Sequence, residues 1–266
     1  MSTKATGIIP ARWGSTRFPG KSLAMIRGKP LVQLVYEQAR KARLLDSVLV
    51  ATDDERIRAA VTSFGGKAVM TRGDHPSGTD RVAEAAGGLD AGIVVNVQGD
   101  EPMMDPALID RLVEEMRSDN TLDMATAAVP IDNDRDLRDP SVVKVVWGEN
   151  GHALFFSRSV IPFDRDGAYD VRDAVYWRHL GIYAYRKQFL LRLVSAPPCQ
   201  AEKMERLEQL RALHLGVRMK VLPTRAETIG VDTPGDIALV TEAMEKMKSG
   251  RPGRKSARAT GETGNV

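Results

Sequence analysis

The sequence predicts an α/β, Rossmann-like fold, a mostly parallel sheet flanked by helices. Three observations predict it. Short β-branched runs (GIIPA, SVLVAT, GIVVNVQ, DMATAAV) alternate with stretches of helical periodicity, the pattern of βαβ units. Two of those runs stop at Gly-containing turns that carry charge, as ligand-binding strand ends do. And 266 residues, 42% hydrophobic and 27% charged, are enough for one large domain or two small ones with a sizeable core.

Taken in order, GIIPA (7–11) reads as a buried strand that runs into the loop GSTRFPGKS (14–22). Pro30 opens an amphipathic helix with Leu31, Leu34, Val35 and Ala39 at helical spacing. SVLVAT (47–52) is a second strand, and Asp53 and Asp54 suit the N-cap of a helix reaching Phe64, where Gly65 and Gly66 stop it. KAVM is a short strand, and Ser77 suits the cap of a helix from Thr79 to Ala86. GIVVNVQ (92–98) is the most β-like run and ends on Gly99-Asp100-Glu101-Pro102; Pro106 opens the next helix and DMATAAV the next strand. After about Ile131 the pattern changes. VVKVVW, ALFFSR and HLGIYAY have no helices between them, which predicts an antiparallel insertion over 132–194. Leu190–Val194 and Glu202–Leu213 read as helices, RMKVLP as a late strand, and IGVDTPGD leads into a last helix ending near Met247.

Composition excludes several classes. One cysteine, Cys199, rules out an intrachain disulfide, and four scattered histidines have no zinc spacing. No apolar run approaches the ~18 residues of a membrane span, and MSTKATGII has no signal-peptide core. A soluble, cytoplasmic protein without a membrane partner is expected. The net charge of +3 and pI near 9.0 come from the tail, where Lys248, Arg251, Arg254, Lys255 and Arg258 face only Glu262. That Gly/Ser/Thr-rich segment, 249–266, reads as a disordered, solvated tail, so the basic balance does not call for a nucleic-acid partner.

The 14–22 loop nearly matches a P-loop, but Gly14 and Gly20 enclose five residues rather than four, and Pro19 precedes the second glycine. Small residues after a buried first strand still bring backbone N–H groups close to phosphate oxygens. Arg12, Arg17 and Lys21 add cations on both sides of the loop, a forked guanidinium and a point charge that suit a triphosphate. A Gly/Pro turn with solvated cations is the alternative.

The whole phrase IIPARWGSTRFPGK resembles the N-terminal signature of sugar nucleotidyltransferases, and among them the 3-deoxy-manno-octulosonate (KDO) cytidylyltransferases, the CMP-KDO synthetases. VATDDERI, MTRGDHPSGTDRVAE, VVNVQGDEPM, FFSRSVIPFDRD, RHLGIYAYR, LEQLRAL and GVDTPGD resemble further blocks of that family in its order, from about Gly7 to Met247. The loop is unlike that of the sialic acid cytidylyltransferases, since Thr16-Arg17 follow Gly14-Ser15 and Ser22 follows Lys21. The resemblance implies transfer of CMP from CTP to the anomeric hydroxyl of KDO, with release of pyrophosphate, for lipopolysaccharide synthesis. An acceptor such as 8-amino-KDO or sialic acid, and a non-catalytic nucleotide-binding protein on the same fold, are the alternatives. Such a protein is expected to lose a metal ligand or loop cation, and none is missing.

The resemblance also implies roles. Arg12 and Lys21 bind the triphosphate, helped by Ser15, Thr16 and Arg17; Asp100 and Asp232 hold Mg²⁺. Arg72, Ser77, Gly78, Thr79, Arg81 and Gln98 take the cytidine, with Asp100 beside them. Gln98, Arg158, Arg165, His179, Tyr183, Glu208 and Gln209 surround the acidic sugar, and the inserted segment forms a homodimer. Plainer readings stand beside these. Asp100 suits a turn before Pro102, Asp232 a cap on the last helix, His179 and Tyr183 core packing, and Glu208 with Arg211 a pair on a helix face.

Overall fold

A computed structural model describes residues 3–14, 18–173, 175–225 and 229–248, so Ser15, Thr16, Arg17 and the 249–266 tail lie outside the described residues. The apolar runs become one nine-stranded sheet. β1 (Ala5–Ala11) sits near its middle, pairing in parallel with β4 (Ser47–Thr52) on one side and β6 (Ile93–Asn96) on the other. β5 (Ala68–Met70) extends the β4 side, also in parallel. β2 (Met25–Ile26) and β3 (Lys29–Pro30) form a separate small hairpin.

Adjacent residues of β1 point to opposite faces, which explains its continuous apolar run. Ile9 packs with Leu31 and Val35 of α1 (Leu31–Ala39), Ile57 of α2 (Glu55–Ser63) and Leu112 of α4 (Pro106–Ser118). Ile8 packs on the other face with Val82 of α3 (Gly78–Gly87) and Leu190 of α6 (Lys187–Ser195). Both isoleucines are fully buried, each contributing roughly 1.5–3 kcal/mol. The caps expected at Asp54 and Ser77 form, Asp54 accepting from Arg56 N and Ser77 from Thr79 N and Asp80 N, and α4 adds an unforeseen cap, Asp105, accepting from Ala107 N.

The antiparallel segment is more integrated than the sequence suggests. β10 (Trp177–Arg186) runs through the main sheet, antiparallel to β6 (Ala184↔Val95) and to β7 (Met124–Pro130; Ala184↔Ala125). β11 (Met219–Pro223) closes the far side in parallel with β7. The reason is that β10 is apolar on both faces. Leu180, Ile182 and Ala184 enter one core and Tyr185 the other. β8 (Lys144–Trp147) and β9 (Ala153–Ser157) branch from β10 at Arg178↔Lys144. A short helix, α5 (Asp134–Arg138), capped by Asn133, was not legible. The helix expected over 202–213 is broken into α7 (Gln200–Glu205) and α8 (Gln209–His214) by Arg206, whose φ is +52°. The break turns the Glu205 and Arg206 carbonyls outward, where both accept from the Arg158 guanidinium. The last helix is α9 (Asp236–Lys248).

Candidate active site

The carboxyl ends of β1 and β6 meet at a close backbone approach. A Cβ on Gly99 would lie 2.4 Å from the Pro10 carbonyl oxygen, so only glycine lets the Gln98-Gly99-Asp100 turn pass beside Pro10-Ala11-Arg12. The phosphate-type loop folds back on itself there. Gly20, left-handed at φ +70°, donates from its N–H to Trp13 O at 3.0 Å, and Lys21 N donates to Phe18 O at 3.1 Å. Lys21 then opens a single 3₁₀ turn (Lys21–Leu23).

Lys21 Nζ lies 2.8 Å from Asp100 Oδ2 and 3.6 Å from Asp232 Oδ1, so carboxylates 132 positions apart in sequence face one point. The backbone enforces this, because Val231 N donates to Asp100 O at 2.8 Å. The turn before α9 is capped by Asp236, whose Oδ2 accepts from Asp232 N at 2.9 Å and Thr233 N at 2.7 Å. The Asp232 carboxylate stands within 3.6 Å of the Lys21 ammonium. Arg12, Ser77, Gly78, Arg81 and Gln98 line the same crevice. Pro10, Ala11, Gly99, Ser22 and His75 also line it without having been expected there; His75 lies two positions before Ser77 and is bonded to Glu84.

Not every expected cytidine contact reaches the crevice wall. Arg72 is exposed and lies beside Asp74 and Glu84 at 3.8 and 3.6 Å. Thr79 is buried and engages Glu208 and Tyr185 behind the crevice. Arg81 borders the crevice, but its guanidinium is committed to Asp53 Oδ2 (2.9 Å), Thr71 and the Arg72 carbonyl. It shapes the wall from a buried position.

A second depression adjoins the first through Gln98 and is lined by His179, Tyr183 and Gln209, three of the residues expected at the sugar. Gln98 Nε2 donates to Gly181 O at 2.7 Å, in the irregular step of β10 between Leu180 and Tyr183. Thr126 Oγ1 donates to Ile182 O at 2.8 Å, so at its 3.0 Å contact with His179 Nε2 it accepts. His179 thus carries its proton on Nε2 and leaves Nδ1 as an acceptor. Burial drives its pKa down to about 3, so it stays neutral. Burial, and then Glu208, raises Tyr183, which stays a phenol. Glu208 is itself raised by burial, with Asp80 adding to it, and its Oε2 accepts from Ser77 Oγ at 3.0 Å; it lines neither depression directly.

The remaining two sugar candidates stand elsewhere. Arg158 donates to the carbonyls of Pro140, Glu205 and Arg206, and its N–H to Glu205 Oε2, so it ties β9 to α7 rather than lining the depression. Arg165 is exposed in the 158–176 connection and lines neither depression. The cation that does border the second depression is Arg178, which sequence reasoning passed over. It also lowers the pKa of Glu101, a carboxyl that burial and neighbouring Asp100 together push up to about 7.

A parallel sheet with a cationic loop after β1 and two aspartates at its carboxyl edge defines the nucleotidyltransferase class. The profile of the cytidylyltransferase family matches residues 6–221. The 3-deoxy-manno-octulosonate cytidylyltransferases of Geotalea daltonii and Geobacter sulfurreducens are 51% and 49% identical, covering 91% and 90% of this chain and 98% and 99% of theirs. A CMP:2-keto-3-deoxy-manno-octonic acid synthetase solved in complex with CTP superposes with a TM-score of 0.86 at 44% identity, covering 92% of this chain and 99% of that one. A 4-diphosphocytidyl-2C-methyl-D-erythritol synthase from Anaerococcus prevotii, at 15% identity and TM-score 0.62, shares the fold. The chain belongs to the 3-deoxy-manno-octulosonate cytidylyltransferase family.

Proposed function

We propose that the two adjoining depressions transfer CMP from CTP to the anomeric hydroxyl of KDO, releasing pyrophosphate and making the activated sugar for lipopolysaccharide synthesis. The observation that carries the assignment of roles is Lys21 Nζ held between Asp100 and Asp232 at the carboxyl end of the parallel strands. In-line displacement at the α-phosphorus needs positioning and charge neutralisation more than covalent help. Arg12 and Lys21 supply cations for the triphosphate and the departing pyrophosphate. Ser77 and Gly78, at the start of α3, take the nucleoside, and Gln98 stands between nucleotide and acceptor. The neutral His179, accepting at Nδ1, and the Tyr183 phenol suit a polyhydroxylated sugar.

The residues fit a hard divalent cation. The donor set at Lys21 is two carboxylates, Asp100 and Asp232. That suits Mg²⁺, which keeps waters and takes phosphate oxygens beside one or two carboxylates. Asp100 and Asp232 would hold it, and when bound it polarises the α-phosphate and acidifies the attacking hydroxyl. Lys21, paired with both acids here, would then be left to serve the triphosphate.

We also assign a homodimer and a cytoplasmic location. β9 is an edge strand with Leu154 64% and Phe155 40% exposed, which supports a covered apolar face. No helix among the described residues is long and apolar enough to cross a membrane. The reaction is tested by pyrophosphate release from CTP and Mg²⁺ with KDO, 8-amino-KDO and sialic acid. Release with KDO and little with sialic acid is expected, and no release with any of the three refutes the assignment. Light scattering at micromolar concentration gives the mass of the assembly.

A further inference from the structure

The loop that carries Arg12 and Lys21 is fastened to α2 through an aromatic ring. The Trp13 indole lies against Gly20, where an added Cβ would sit 2.9 Å from the ring. On Trp13 the Arg56 guanidinium is stacked, its Cζ 3.3 Å from the ring centroid. Arg56 is in turn aligned by Asp54, with Nε to Oδ1 at 3.0 Å and Nη2 to Oδ2 at 2.6 Å. Asp54 is fixed by its other task, the cap on α2, accepting from Arg56 N at 2.9 Å. The chain Asp54–Arg56–Trp13–Gly20 therefore runs from a rigid helix terminus to the residue before Lys21.

We propose that the Trp13–Arg56 stack is a positioning device for the triphosphate loop. Neither residue needs to touch the nucleotide. The stack sets the height of Gly20 above the sheet, and with it the direction of Lys21 towards Asp100 and Asp232. Three features favour this over surface decoration. Trp13 is half-buried although its chain neighbours Arg12 and Gly14 are exposed. Gly20 is the only residue type that leaves room for the ring while holding a left-handed φ. And Asp54 orients Arg56 through two side-chain bonds, which lowers the entropy cost of the stack. An indole offers the strongest cation–π face, and a planar guanidinium stacks on it better than an ammonium.

The inference rests on CTP being the nucleotide, and its test is arranged so that the two fail separately. Steady-state kinetics are measured for wild type and for Trp13→Ala, Trp13→Phe, Arg56→Ala and Arg56→Lys, varying CTP and KDO in turn, with Tm for each. Arg56→Ala keeps the backbone N–H that Asp54 caps, so α2 is expected to stay folded. The expected result is a five- to twentyfold loss in kcat/KM for CTP in both alanine variants. KM for KDO should stay within twofold of wild type and Tm within about 2 °C, while Trp13→Phe and Arg56→Lys recover part of the loss. CTP parameters within twofold of wild type in both alanine variants would overturn the proposal. So would a loss in Arg56→Ala with none in Trp13→Ala, since Arg56 would then act on the nucleotide directly. Equal losses for CTP, KDO and Tm would make the stack a general stabiliser and overturn it too. If wild type releases no pyrophosphate from CTP, the reaction assignment fails instead.

Discussion

Replacing His179 by glutamine should change how stability depends on pH. In the folded chain burial lowers the His179 pKa from 6.5 to about 3. Between those values the unfolded chain binds a proton that the folded one does not, so stability falls as pH falls from 6.5 towards 3. Each unit of separation is worth 1.36 kcal/mol, and going down to pH 5 crosses about 1.5 units, a loss of roughly 2 kcal/mol at most. The ring borders the second depression, so solvent trims this value. Glutamine keeps a donor for Thr126 but does not titrate. The other three histidines are common to both proteins and cancel in the comparison. Urea unfolding at pH 7, 6 and 5 gives the free energies. The wild-type minus variant difference should shift by about 1–2 kcal/mol towards the variant between pH 7 and pH 5. A difference independent of pH would show that His179 titrates in the fold as it does in the unfolded chain, and the lowering of its pKa by burial would be refuted.

Three other outcomes are expected. Lys21→Ala should lower kcat/KM for CTP by roughly ten- to a hundredfold, the loss of one charge-assisted contact; the same variant should bind Mn²⁺ more tightly without nucleotide, read by electron paramagnetic resonance, because the ammonium no longer competes. Asp100→Asn and Asp232→Asn should each abolish most pyrophosphate release, with the double variant little worse than either, whereas additive losses in a double-mutant cycle would separate the two acids. Gly99→Ala drives a methyl into the Pro10 carbonyl and should cost about 1–3 kcal/mol, lowering Tm by several degrees in calorimetry.

Much of the fold was legible because local signals agreed with tertiary demand. SVLVAT, with Asp54 as a cap, and Ser77 before its helix are positions where the β-run, the cap and the burial all point one way. The crevice was legible where a motif fixed the backbone of described residues, as at Lys21, QGD and GVDT. It was less so where a side chain's role depends on what folds over it. Arg158 looks like a ligand cation in sequence, yet the left-handed break at Arg206 supplies carbonyls that take its guanidinium. Arg211 is a similar case. The plainer alternative pairs it with Glu208 on a helix face, but its side chain bonds to Glu202 at 2.6 and 2.8 Å across the α7–α8 break. Arg178 was not singled out, since strand periodicity sets it on the opposite face from His179, yet both border the second depression.

The placement of β10 bears on how the chain is made. During synthesis β1, β4, β5 and β6 emerge first and can form their parallel pairs at once. The outer edge of β6 then stays unpaired until residues 183–186 arrive, some ninety positions later, to bond it. β7, made in between, has neither of its final neighbours, since β10 and β11 both follow it. Pairings this distant form slowly, and a half-built parallel sheet with a bare apolar edge is prone to join another chain. A nascent chain stalled before Trp177 therefore exposes Val94 and Val95 on an open strand; completion of β10 closes that edge, and β11 then covers β7.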